Sequence, residues 1–140
     1  MRTEIFILCD AATEQQGKLN LLGTFDTLYA REVPVVHPAC AVAIRLRFSR
    51  IEEGNHKVKV TFADADGKLV MPPMNASLAV RFRPEDTTVT ANLVLNLLQL
   101  RFERFGEYTI DLAVSGRQEG SIPLYVRQMP APPPPAPPPA

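Results

Sequence analysis

The chain holds two histidines, His37 and His56, and two cysteines, Cys9 and Cys40, and these are where chemistry would start. A nucleophilic site needs a thiol or hydroxyl, a base to take its proton, and a third group to orient that base. The stretch "VPVVHPAC" puts His37 three residues before Cys40, so a Cys–His pair is the nearest approach to such a site. Its neighbours argue otherwise. Cys40 opens an apolar alternating run and His37 sits between prolines in a strand-to-strand loop, which reads as a loop histidine near a buried, reduced thiol. Cys9 lies in a similar apolar run. His56 shares the inward phase of Val58 but stands at a strand end, where partial exposure accounts for it. No C-x-x-C or H-x-x-x-H spacing preorganises zinc, and two cysteines make no disulfide framework.

"DADG" looks like part of a calcium loop and fails on register. With Gly67 at the loop's glycine position, the first ligand would be Phe62 and the bidentate acid Pro73. No G-x-x-x-x-G-K-[ST], G-x-G-x-x-G or G-x-S-x-G occurs. Glu52-Glu53 and Glu85-Asp86 lie beside turn formers and read as solvated charge. The reading therefore predicts no catalytic, cofactor-binding or metal-binding residue, and a protein that is not an enzyme.

Lys+Arg and Asp+Glu are 15 each, so no overall field favours nucleic acid or an anionic membrane. "EIFIL" is cut short by Asp10, well below a signal-peptide core, and nothing approaches a membrane helix, so the cytoplasm is expected.

The dominant signal is period-2 alternation in segments separated by Gly, Pro, Asn and Asp, as strands with one wet face produce. Cys40, Val42, Ile44, Leu46 and Phe48 share one face, as do Val58, Val60 and Phe62, Ala76, Leu78, Val80 and Phe82, and Tyr108, Ile110, Leu112 and Val114. Glu4–Leu8 is apolar on both faces, so it is central in a sheet or lies under another element. "TANLVLNLLQLRF" shifts phase after Leu97, which predicts a bulge near Leu97–Leu98, with a helix over Asn92–Arg101 as the competitor. Asp66-Gly67 predicts a two-residue turn pairing Ala65 with Lys68 and Phe62 with Met71. Ser115-Gly116 as a two-residue loop would turn Ile122, Leu124 and Val126 outward, so an odd loop or a bulge near Gly120 is required. Pro123 predicts that the last strand is an edge. About eight strands without a convincing helix describe an all-β fold, a single antiparallel β-sandwich over residues 1–128 of immunoglobulin-like architecture, "FGEYT" resembling its tyrosine corner. Residues 129–140 form a disordered Pro-rich tail, a polyproline II segment rising about 3.1 Å per residue.

"ILCDAA…GKLNLLGTFDTLYA", "NLVLNL", "FGEYTIDLAV" and "PLYV" together resemble a family of small bacterial proteins known only as a domain of unknown function, over roughly residues 4 to 127. The resemblance implies a compact β-sandwich in a bacterial cytosolic setting and supplies no activity.

The expected function is a non-enzymatic binding or scaffold module. Arg45, Arg47, Lys57, Lys59, Arg81 and Arg83 point outward from three strands and would make a basic face if those strands share a sheet. Hairpin arithmetic sets Arg47 opposite Lys59, which calls for an anionic partner or a neighbouring Asp or Glu. Nucleic acid is disfavoured, because no aromatics interleave with these positions. In the tail, Arg127, Pro130 and Pro133 satisfy the [RK]-x-x-P-x-x-P form of a polyproline ligand. The alternatives are a small hydrolase or metal-dependent enzyme using Cys40 and His37, and a homo-oligomer subunit using Glu4–Leu8 or the Pro123 edge.

Overall fold

In the computed structural model, which describes residues 1–130 and 132–139, the alternating runs become nine strands. They are β1 (Arg2–Gln15), β2 (Lys18–Thr24), β3 (Thr27–Ala30), β4 (Val35–Ser49), β5 (Gly54–Ala63), β6 (Met74–Val80), β7 (Thr88–Phe102), β8 (Gly106–Val114) and β9 (Arg117–Gln128). One 3₁₀ turn, Arg50–Glu52, is the sole helical element among the described residues. No helix there is long and apolar enough to cross a membrane.

The strands form two sheets, ordered β2-β1-β4-β7 and β3-β9-β8-β5-β6, the second curling into a half-barrel. One apolar cluster draws on both. Cys40, Val42, Ile44, Leu46 and Phe48 from β4 join Val58, Val60 and Phe62 from β5 and Tyr108, Ile110, Leu112 and Val114 from β8. All are buried. These are the faces that alternation selects, because a pleat admits only every second residue to the interior. β1 is central, as its two-sided apolar character requires. It pairs with β4 through Arg2–Cys9 and with β2 through Cys9–Gln15. The outer face of β4 is partly covered too: Cys9, Ala41 and Ala43 are fully buried under Leu19 and Leu21, since the β1–β2 hairpin leans over that face. The Gly17 carbonyl accepts from Asn92 Nδ2 at 3.1 Å and from Arg45 Nη1 at 3.5 Å.

Four expectations need correction. First, the pairing is not wholly antiparallel: β3 runs parallel to β9. Second, β9 therefore lies inside its sheet and is no edge, although β3 covers only Tyr125–Gln128 and leaves Pro123 without a partner on that side. Third, the Asp66-Gly67 loop has three residues, not two. Asp64 Oδ1 accepts the N–H groups of Asp66 and Lys68, both at 2.9 Å, and Gly67 takes φ +82°. That lengthens the loop and sets Phe62 against Val70, whose N–H donates to the Phe62 carbonyl at 2.8 Å, so Met71 is not its partner. Fourth, the phase shift of β7 is not a one-sided bulge. The β4–β7 register holds from Val35↔Phe102 to Ser49↔Thr88. Gln99 takes φ +54° opposite Pro38, so both strands change phase together. Extended chain nevertheless runs through Asn92–Arg101, and the helix is excluded.

The Gly120 bulge is present. Ser115 and Gly116 form a two-residue turn with φ +51° and +81°, and pairing then slips from Ala113↔Gln118 to Leu112↔Gly120. The slip returns Ile122, Leu124 and Val126 to the phase of the core. Gly120 also lies under the Phe6 ring from the other sheet, where a Cβ would come within 2.9 Å of Phe6 Cδ2. We expect Gly120→Ala to destabilise by ~1–3 kcal/mol through overpacking, measured by denaturant unfolding; an unchanged midpoint would show that Phe6 swings aside freely.

Candidate functional site

The six outward cations do not share a face. Consecutive strands β4 and β5 belong to different sheets, so Arg47 faces Arg2 and Thr90 across its ladders and never meets Lys59. Arg45 and Arg47 lie on the outer face of the four-stranded sheet. Lys57 and Lys59 lie on the outer face of the five-stranded one. Arg81 and Arg83 lie in the loop beyond β6. Arg81 bonds the Val80 carbonyl at 3.0 Å and Asn55 Oδ1 at 3.4 Å. Arg83 stands 3.6 Å from Glu85 and 3.7 Å from Asp86.

Arg45 and Arg47 are held by Glu4, to which the sequence assigned a strand but no charge partner. Its carboxylate accepts from Arg47 Nε at 2.8 Å, Arg45 Nε at 3.0 Å and Arg2 Nη2 at 3.1 Å. The hydrogen bond from Arg47 leads the effects that hold the Glu4 carboxyl down to about 2. Arg45 also reaches Asn92 Oδ1 at 3.2 Å, and Arg47 reaches Thr88 at 2.8 Å. Two arginines thus tie β1, β4 and β7 across one face.

The thiols sit on opposite sides of the same sheet. Cys40 points into the shared core and Cys9 into the small cluster under the hairpin, its Sγ 3.6 Å from the Ala41 carbonyl. Burial pushes the Cys40 thiol up to about 11, and burial raises Cys9 as well. A thiol kept protonated is a poor nucleophile. The His37 ring packs against Phe25 with centroids 5.9 Å apart, and its Nε2 is buried without a partner.

Other polar groups meet where spacing gave no hint. His56 Nε2 lies 2.6 Å from the Glu52 carbonyl, which can only accept, so Nε2 carries a proton and donates to it, while Nδ1 and Ser115 Oγ share a hydrogen bond at 2.9 Å. The two residues are 59 positions apart, joined because β5 and β8 are neighbours. The pair has a nucleophile–base geometry, and it also clips the β8–β9 turn to the 3₁₀ turn. Asp64 and Asp66 close on Arg104 Nη2 at 3.2 and 2.9 Å, so "DADG" engages a guanidinium. The Tyr108 hydroxyl donates to the Arg104 carbonyl at 2.7 Å, tying the loop to β8. Arg127 is a β9 residue with its guanidinium 5.0 Å above the Tyr125 ring; Pro130 and Pro133 are exposed beyond the strand. Ala131 and Ala140 of the tail lie outside the described residues.

A model of a family of unknown function, DUF6941, matches residues 4–127. No curated protein matches the chain in sequence. Among solved structures, the chain is similar to the Pseudomonas fluorescens alkylpurine DNA glycosylase AlkC bound to DNA containing an abasic site analog, at 9% identity and a TM-score of 0.50. It is also similar to a β-glucosidase from Listeria innocua in complex with isofagomine, at 10% identity and a TM-score of 0.47. The alignments cover 90% and 89% of this chain but only 30% and 16% of those proteins. A likeness at such identities concerns the fold and carries no activity.

Because Glu4 has a depressed carboxyl, its ion pairs contribute stability above its ordinary value of 4.5 and lose it as pH falls toward 2. Stability should therefore drop across that window, and Glu4→Gln should flatten the drop. Arg47→Glu should lower the melting temperature at pH 7 by setting two carboxylates together; a variant as stable as the parent would refute the tie. Separately, both thiols should resist a disulfide reagent in the native protein and react fully in denaturant. Fast native reaction of Cys40 would contradict its burial.

Proposed function

We propose that this chain, which belongs to the DUF6941 family of unknown function, is a non-enzymatic binding or scaffold module for an anionic partner, built as an immunoglobulin-like sandwich. Two sheets sharing one core, with Tyr108 tied to the Arg104 carbonyl, support the sandwich reading. The binding reading rests on one observation. Lys57 and Lys59 remain exposed on the outer face of β5, beside Ser77 and Asn75 of β6, while the arginines of the other sheet are engaged by Glu4. Exposed lysines on flexible stems steer and hold an anionic surface without forming part of the fold. Two buried, free cysteines fit a reducing compartment, in keeping with a bacterial cytosol.

Lys57→Glu with Lys59→Glu should abolish capture of an acidic partner from lysate and leave the melting temperature unchanged, and capture by the parent should weaken with added salt. Capture that survives both substitutions would remove this face from consideration.

A further inference from the structure

The chain has three tyrosines, and two of them stand on the outer face of the five-stranded sheet. Tyr108 is the buried one. Tyr29 on β3 is aligned with Arg127 on β9, Thr27 is aligned with Tyr125, and Tyr29 is 58% exposed. Arg127 lies over the Tyr125 ring, and Pro123 precedes Tyr125 on the same face. Exposed Tyr29 and half-buried Tyr125 thus share one outer face with Arg127, forming a short aromatic ridge.

Its chemistry is specific. A polyproline II segment presents flat pyrrolidine rings and carbonyls that no internal hydrogen bond satisfies, and its prolines have no N–H to offer. A surface that recognises it supplies aromatic rings for the former and donors for the latter. Tyr29, Tyr125 and Arg127 supply both. The same chain carries such a segment in "PAPPPPAPPPA", uncharged throughout and free of glycine.

We propose that the ridge of Tyr29, Arg127 and Tyr125 binds the Pro-rich segment Pro130–Pro139 of a second copy of this chain. Direction excludes the copy's own tail. The Met129 N–H donates to the Ala30 carbonyl at 2.8 Å, and β3 and β9 run parallel, so the chain leaves the sheet beyond Ala30 and travels away from both tyrosines. Turning back would need a reversal within a proline run whose φ angles are fixed near one value. Reciprocal exchange closes a dimer; one-way exchange gives open chains. The lysines of β5 take no part, so the inference stands apart from the anionic-partner reading.

Light scattering on the full chain should show self-association that rises with concentration. It should be lost when Pro130, Pro132, Pro133, Pro134 and Pro135 are all replaced by Ser, and lost again in Tyr29→Ala with Tyr125→Ala. Mixing these two variants should restore a complex, since each retains one half of the contact. A synthetic peptide of sequence APPPPAPPPA should also perturb tyrosine emission, which no Trp obscures. Melting temperatures check the folding of each variant, and Tyr29→Ser, at the more exposed position, replaces the double variant should that one unfold. A full chain that stays monomeric at millimolar concentration would overturn the proposal, as would association that survives loss of the prolines. Peptide binding without self-association would overturn the choice of occupant.

Discussion

The inward face of β4 is the constraint on which the remaining structure turns. Val42, Ile44, Leu46 and Phe48 are wholly buried, and each is matched by an apolar residue of β7 at an unbroken register. With those residues directed at the five-stranded sheet, the intervening side chains must emerge on the opposite face. Arg45 and Arg47 therefore stand side by side there, and Ala41 and Ala43 are left as a shallow apolar floor. Glu4 answers the first problem and the leaning β1–β2 hairpin answers the second. Both answers come from β1, which explains a fourteen-residue strand able to serve two neighbours in succession.

Local periodicity revealed which residues face inward, because a pleat imposes its two-residue repeat on every strand regardless of its neighbours. The inward sets of β4, β5 and β8 were legible for that reason, and so was the bulge at Gly120, which parity alone demanded. Strand order was not legible. Alternation is the same whether β4 lies beside β5 or in another sheet, so the basic face assembled on the assumption of adjacency came apart into three places. The three-residue loop at Asp64–Lys68 was hidden by a competing signal: Asp66-Gly67 favours a tight turn, and the Asp64 side chain overrides it by capping backbone N–H groups. Glu4 and Arg104 were missed for the same nonlocal reason, each meeting its charge partners at a sequence distance of about forty positions.

The site, in consequence, was less legible than the fold. Several residue types that could do chemistry also hold the architecture together. Cys40 fills the core, Asp64 and Asp66 hold Arg104, and His56 and Ser115 join two turns. Among the residues left outward are the lysines of β5, the exposed Tyr29 of β3 and the half-buried Tyr125 of β9. Composition alone gave them no prominence, since three tyrosines in 140 residues attract no notice until two share a surface.

The parallel pairing of β3 with β9 has a consequence for how such a chain is made. A ribosome delivers residues in order, and Thr27–Ala30 emerge long before Tyr125–Gln128, their ladder partners. The four-stranded sheet has all its strands once Phe102 is out, whereas the border strand β3 of the other sheet has no mate until Tyr125–Gln128 have followed. The parallel ladder therefore cannot close before every other strand of both sheets has been made.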